Sequence, residues 1–589
     1  QHGFWLNAEP AGHPEDITIS ISGLKQPAEV FFDNRMVPHI FAANDHDAHF
    51  VQGYLHAKFR LWQMEFQTLA AGGRLSEILG PGEDSAFLKN DRNMRRMGMV
   101  YGAEQSLKAM EADPATLESV NAYTNGVNYF IDELTQKGLP LEYRLLNYTP
   151  ERWNNMKTAL FLMYMSYDLT GNVNDLEFTN AKKLLDKQLF NSLYPAFPDS
   201  LDPVISKGHQ YAMPSVVPVK PAVADSLYLN FIDSVSFVAQ KPDRDNGSNN
   251  WVVGGEKTSS GAPILCNDPH LGVNLPSLWY EIQITTPEYS VYGVSFPGAP
   301  GVIIGFNNHI AWGVTNASRD VKDFYNIQFK DATKKEYLFN NEWVKSNLKI
   351  EKFNIRGGAA FYDTVAYTVF GPVMYEPGYG TIKNSGLDYL AVKWKAHEAT
   401  NELKTFLLLN RASNLEEYRA AISTYSCPGQ NFVFASKTND IAIWHQGAFP
   451  ARWEGQGKFV MPGQDSNFLW QNDIPFEENP HEINPQRGFV SSANQLPADS
   501  SYPYDLHGNY DLYRGLQINK LLNERNDFTP ELMKELQLNN FNPLAATILP
   551  FMLANLNDSL LSRLEADTYR ILSTWNYYNE RKEKGATLF

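Results

Sequence analysis

The hydrophobic period of this chain changes at one place, and that change limits the folds open to it. Upstream, Phe50, Tyr54, Ala57, Leu61 and Met64 recur at alternating four- and three-residue intervals, the stripe of a core-facing helix, with Asn44 or Asp45 as its N-cap. Further helices are expected around 102–112, 115–136, 151–169 and 175–193. Before them, residues 17–42 read as short strands, because Ile17, Ile19 and Ile21 alternate with Thr18, Ser20 and Ser22, and Val30-Phe31-Phe32 precedes a turn at Asp33-Asn34. A Pro/Val/Ala-rich stretch from Ala212 to Ala224 and the turn-forming run Lys241 to Gly247 then interrupt the pattern. From Ser248 the period falls to two. Trp251-Val252-Val253, Ile264-Leu265-Cys266, Tyr280 to Ile284, Val291 to Val294, Val302-Ile303-Ile304 and Ile310-Ala311-Trp312 read as successive short strands. Segments 340–395 and 431–445 are also strand-like, while 402–423 and 529–555 are helical, and no repeat of fixed period is present. A length of 589 residues alone allows three or four domains.

Composition removes several functional classes. Lys plus Arg number 50 against 66 Asp plus Glu, a net charge of −16, and no basic run interleaved with aromatics is present, so a nucleic-acid partner is not expected. Cys266 and Cys427 allow one bridge or two free thiols. The richest apolar run, Ala159 to Met165, is far shorter than the ~18 residues of a spanning helix, so no membrane insertion is expected. The sequence starts at Gln1 without a basic and apolar leader, which reads as an exported, periplasmic or secreted chain whose signal has been removed. G-x-S-x-G, H-E-x-x-H, C-x-x-C and P-loop signatures are missing. His46 and His49 share the start of a helix and read as surface or capping residues. Asp243, Asp245 and Gly247 imitate a calcium loop, but its sixth and twelfth positions are Ser248 and Gly254.

Chemistry concentrates at Asn246-Gly247-Ser248-Asn249-Asn250-Trp251. In a tight Gly-Ser turn the hydroxyl can attack the preceding carbonyl, move the acyl group from nitrogen to oxygen and let water cut the ester. Ser248 would then carry a free amine, with a reference pKa of about 7.7–8.0, able to serve as base for its own hydroxyl.

The run Ser248 to Gly255, then Asn267-Asp268-Pro269-His270-Leu271, then Trp312-Gly313-Val314-Thr315-Asn316 resembles the penicillin acylase family of N-terminal-nucleophile (Ntn) hydrolases, which includes penicillin amidases and acyl-homoserine lactone acylases. Pro38-His39-Ile40, Gly53 to Glu65, Gly80-Pro81, Gly447 to Pro450, Asn484-Pro485 and Ala493-Asn494-Gln495 continue the resemblance in order. It implies an α+β fold, the αββα four-layer sandwich, with a mainly helical part at 1–211, a connector at 212–247 and a nucleophile-bearing part at 248–589. It also implies a precursor cut between Gly247 and Ser248 into an α/β heterodimer. The catalytic set it implies is Ser248 as nucleophile, His270 near it, the Asn316 N–H and the Asn494 side chain as oxyanion donors, and Arg514 orienting Asn494 or substrate.

The same resemblance places Leu271 and Ile304 in the acyl pocket, and a structural Ca2+ on Glu177, Asp320, Asp323, the Pro450 carbonyl and Asp505, with no organic cofactor. Family chains continue past the point matching Phe589, where some supply an acidic partner for the His, so the sequence reads as lacking the C-terminal end of the fold. The implied substrate is a small N-acyl amide, such as a penicillin side chain. Two other readings remain: a secreted carbohydrate-active or glycan-binding protein, motivated by 12 Trp and many acidic residues, and a catalytically inactive protein of the acylase fold.

Overall fold

On the strand Gly247–Val253, neighbouring residues enter different layers, as period-two geometry requires. Val252 packs with Val433, Ala435, Ile441 and Ile443 of a large sheet, whereas Trp251 and Val253 pack with Leu522, Phe528 and Met533 of a helical layer. This strand is the centre of a three-stranded antiparallel sheet, between Phe489–Ser492 and Ile264–His270.

The large sheet has nine strands, in the order Glu29–Phe32, Pro38–Phe41, Tyr280–Thr285, Ser290–Ser295, Ile304–Asn307, Ile310–Asn316, Gln430–Ser436, Ile441–Gln446 and His481–Ile483. Its other face, through Ile282, Ile284, Trp312, Phe432, Phe434 and Trp444, is covered by Phe406 and Leu409 of the helix Glu402–Leu409, Tyr418 and Ile422 of Leu415–Ile422, and residues of Asp45–Ala71 and Asn155–Thr170. The layers therefore run helix, sheet, sheet, helix, the last formed by Arg514–Asn523 and Pro530–Gln537. The expected α+β, four-layer arrangement is present in this computed structural model, which describes residues 18–170, 173–195, 202–222, 242, 246–379, 389–557 and 560–589. A six-stranded sheet that includes Lys322–Asn326 and Leu390–Trp394 stands beside the sandwich.

The amino-terminal helices follow the sequence pattern closely. Asp45–Ala71 is capped by the Asn44 side chain, which accepts the Asp47 N–H, and Pro114–Glu133 by Asp113. Gly53 and Gly126 let these two helices touch: a Cβ on Gly126 would lie 1.8 Å from the Phe50 carbonyl oxygen, and one on Gly53 2.2 Å from that of Tyr123. The expected helix at 175–193 is two, Asp175–Leu184 and Lys187–Leu193. Residues Thr18 to Ser22 form no strand, because pairing begins only at Glu29 and Ile19 is left 45% exposed. The expected strand at Val302 starts instead at Ile304. His49 is buried, not superficial, and burial lowers its pKa to about 3.

Both cysteines are free and buried. Among the described residues no helix is long and apolar enough to cross a membrane. Of the stretch expected to be a connector, residues 212–222 are described: the Ser215 N–H meets Glu478 and the Val219 N–H meets Gln471. Ile17, the rest of the connector up to Lys241, and Asp243 to Asp245 lie outside the described residues.

His56 joins the helical part to the large sheet, its ring bonding the Tyr123 hydroxyl at 2.9 Å and the Ser295 hydroxyl at 3.0 Å. Complete burial lowers its pKa to about 3, against about 6.5 unfolded. A depressed histidine stabilises the fold above its unfolded pKa, and that stability is lost as pH falls towards the folded pKa. Between pH 7.5 and 5 the loss from this group is about 2 kcal/mol. Urea unfolding at both pH values should show His56→Gln losing that much less than the wild type; parallel losses would refute the assignment.

Candidate active site

Ser248 occupies the second position of Gly247–Val253 and is 4% exposed. Its N–H donates to Asn494 Oδ1 at 2.7 Å, and its hydroxyl donates to the Gly247 carbonyl oxygen at 2.5 Å. Asn494 lies two residues beyond the strand Phe489–Ser492, with φ of 64°, a left-handed conformation that Asn tolerates better than most residues. Its Oδ1 also accepts from Arg514 Nη2 at 2.7 Å, and its Nδ2 donates to the Asn316 carbonyl at 2.8 Å. Asn316 ends the strand Ile310–Asn316 and fastens its own side-chain amide to the Leu169 carbonyl at 2.8 Å, in the last turn of Asn155–Thr170.

Arg514 opens the helix Arg514–Asn523. Its Nη1 donates to the Ser248 carbonyl at 2.8 Å and to Asn249 Oδ1 at 2.6 Å, while Nε meets Asp511 at 3.3 Å. The structure thus brings Ser248, Asn316, Asn494 and Arg514 into one bonded group. Behind it stands a buried polar cluster absent from the sequence reading. Asn431 Nδ2 donates to the Ser492 hydroxyl at 2.9 Å, and the His445 ring bonds Asn431 Oδ1 at 2.7 Å.

His270 stands apart from this group. The register pairs Gly247 with His270 and Ser248 with Pro269. Period-two alternation therefore puts Ser248 and Pro269 on the face towards the large sheet, and His270 with Asp268 and Asn249 on the other. Accordingly its Nε2 bonds Asp268 Oδ2 at 2.9 Å, and Asn249 Nδ2 lies 3.5 Å away. An acidic partner for this histidine is thus present two residues upstream on the same strand; the Asp-x-His spacing carried that signal.

Leu271 and Ile304 stand at the same cavity as Ser248. Together they line a cavity also walled by Leu162, Met165, Trp279 and Phe406, the concave, mostly apolar form of a small-molecule site. No sequence motif pointed to those four residues, which come from two separate helices and a loop.

Of the residues assigned to calcium, Asp320, Asp323 and Asp505 gather around buried Arg452, which meets Asp323 at 2.7 Å and Asp320 at 3.5 Å. Burial, with Asp320 alongside, pushes the Asp323 carboxyl up to about 6 despite Arg452. Burial would also raise Asp505, but His507 and Arg452 outweigh it and hold that carboxyl well below the usual range. The buried acid of the helix Asp175–Leu184 that feels this cluster is Asp175, raised by burial and by Asp320 and Asp323. Glu177 acts electrostatically on Tyr375. Four carboxylates thus share one guanidinium, a donor set whose hard oxygens and excess charge suit a divalent cation. In the arrangement seen, no three carboxylate, imidazole or thiolate groups converge on one point among the described residues.

The sequence pattern of the penicillin amidase family matches residues 27–589. The chain belongs to the penicillin amidase family. Curated relatives include the acyl-homoserine lactone acylase QuiP of Pseudomonas aeruginosa, 29% identical over 83% of this chain and 57% of the relative. The penicillin acylase 2 proenzyme of Pseudomonas sp. strain SE83 is 27% identical over 82% and 61%. The penicillin G acylase of Escherichia coli is 26% identical over 85% and 63%. The chain therefore spans about three fifths of the length of these relatives. A thermostable penicillin G acylase from Alcaligenes faecalis overlays with a TM-score of 0.49 at 23% identity, over 57% of this chain and 60% of that one. Membership in this penicillin amidase family displaces the glycan-binding reading.

The different faces of Ser248 and His270 give a testable ranking. On the expectation that Asn494 is an oxyanion donor, Asn494→Ala should lower kcat by about 10²–10³. His270→Gln should lower it by less than about tenfold, below the 10²–10⁴ of a lost general base. Equal losses in steady-state assays would contradict this ranking.

Proposed function

We propose that the protein is a self-processing amide hydrolase in which Ser248 first cuts its own chain and then acts as an N-terminal nucleophile on an N-acyl amide. The observation that supports the reading is the clamp on Ser248, whose N–H is held by Asn494, whose carbonyl is held by Arg514 and whose hydroxyl lies on the Gly247 carbonyl, at the wall of an apolar cavity. In the first step Ser248 Oγ adds to the Gly247 carbonyl carbon and the C–N bond breaks. The nitrogen takes the hydroxyl proton, leaving an ester. Water then hydrolyses that ester, freeing the Gly247 carboxylate and the Ser248 amine. Cleavage separates the part ending at Gly247 from the part beginning at Ser248, less any connector removed between 212 and 247, and the two stay together as an α/β heterodimer.

In turnover the Ser248 amine takes the proton from Oγ as it attacks the substrate carbonyl. The Asn316 N–H and Asn494 Nδ2 receive the developing oxyanion, and the amine product leaves with the transferred proton. Water repeats the sequence on the acyl-enzyme. Asn494 Nδ2 reaches the Asn316 carbonyl in the uncut chain, so this role requires that bond to be given up on processing. The substrate class is a linear N-acyl amide with an acyl group matched to the cavity at Leu271 and Ile304, of the kind named in the relatives as penicillins or acyl-homoserine lactones. Export to the periplasm fits the same family setting.

Calcium would sit among Asp320, Asp323 and Asp505, with Glu177 and the Pro450 carbonyl as the further ligands that the family resemblance implies, supplying the charge that Arg452 does not balance. Chelation at pH 7.5 should lower the unfolding temperature by a few degrees, with Ca2+ restoring it better than Mg2+; an unchanged unfolding temperature would remove the metal from the reading. Activity is tested with chromogenic acyl-nitroanilides. Wild-type protein should release nitroaniline from at least one acyl chain and Ser248→Ala from none, whereas equal rates would exclude Ser248 as nucleophile.

A further inference from the structure

Glu402 is the one charged side chain among the residues that line the cavity of Ser248. It begins the helix Glu402–Leu409 and is 7% exposed. Its Oε1 accepts the Cys427 N–H at 3.2 Å, and the Thr400 hydroxyl and its own backbone N–H also favour the carboxylate. Burial outweighs these contacts and raises its pKa. No Lys, Arg or His pairs with it among the described residues.

Helix capping does not explain an acid here, since Asn401 already caps this helix by accepting the Lys404 N–H at 3.2 Å. A neutral acceptor would equally serve Cys427. A buried carboxyl without a cation is costly, and such groups in clefts mark binding sites more often than chance. The polar wall around it is continuous with the nucleophile. Gln430 pairs with Asn316 across the strands, Tyr425 bonds Gln430, and Tyr425 in turn feels Glu402. On the remaining sides the cavity is hydrocarbon, from Leu162, Met165, Leu271 and Phe406.

We propose that Glu402 forms a distal subsite of the acyl cavity and accepts a hydrogen bond from a donor group, an amine or a hydroxyl, carried on the acyl chain away from the scissile amide. This rests on the acylase reading and names its acyl class. A methyl-ended chain leaves the carboxyl desolvated and unanswered, whereas a donor-ended chain pairs with it. Sites built to hydrogen-bond a substrate group reject analogues lacking that group far more strongly than hydrocarbon pockets reject a missing methylene.

The test uses the processed full chain and three nitroanilides of matched acyl length, ending in methyl, hydroxyl or amine. At least one donor-ended substrate should exceed the methyl-ended one by about tenfold or more in kcat/KM. Glu402→Leu should bring that ratio below about threefold by slowing the donor-ended chain and speeding the methyl-ended one. Glu402→Gln keeps a carbonyl for the Cys427 N–H and nearly the same volume, so it guards against a folding defect. It should slow the amine-ended substrate more than the hydroxyl-ended one if the bound ligand is a cation. A wild-type preference for the methyl-ended chain overturns the proposal. If none of the three is cleaved, the acylase reading falls. Calorimetry with the three free acids then decides the subsite by itself: stronger binding of a donor-ended acid sustains it, and stronger binding of the methyl-ended acid overturns it.

Discussion

One side-chain oxygen has to serve two donors in this fold. Asn494 Oδ1 accepts both the Ser248 N–H and a guanidinium hydrogen of Arg514, each at 2.7 Å. Because both partners are donors and the Asn316 carbonyl is an acceptor, only one orientation of the Asn494 amide satisfies all three. Three layers meet at that amide: the small sheet through Ser248, the large sheet through Asn316 and the outer helices through Arg514. The approach is close enough to dictate the residue before the nucleophile. A Cβ on Gly247 would fall 2.8 Å from Arg514 Nη2 and 3.1 Å from Asn494 Oδ1, so a glycine at that position leaves the clamp closed.

The electrostatics follow the same economy of few cations among many acids. The acidic excess seen in the composition concentrates where Asp175, Asp320, Asp323 and Asp505 share Arg452. Asp323, raised to about 6 by burial with Asp320 alongside, and Asp505, held low by the His507 ring that bonds it at 3.1 Å and by Arg452, shift in opposite directions. Glu402 makes no ion pair among the described residues, and it lines the cavity of Ser248.

Local pattern carried much of this into view. The four-three spacing from Phe50 to Met64 and the alternation around Tyr280 are the helix Asp45–Ala71 and the strand Tyr280–Thr285, because each buries one face along its whole length. Alternation at Ile19 and Ile21 failed for lack of a partner strand, a condition set by tertiary structure. Ser248, Asn316, Asn494 and Arg514 were legible as short motifs in register. The face on which His270 lies was not, since it depends on the pairing of Gly247–Val253 with Ile264–His270. Asp175, two residues from the acid expected at the cation cluster, and Glu402, which reaches the cavity from a helix of another layer, also escaped notice. Both acquire meaning only from distant neighbours.

The central claim is that the Gly247-Ser248 bond is held for its own cleavage, and sequencing the amino-terminal residues of the purified chain tests it most directly. A new terminus reading Ser-Asn-Asn-Trp, missing from a folded Ser248→Ala protein, is the predicted result. A single uncut wild-type chain under conditions where that variant folds, or a new terminus at any other bond, would contradict the account.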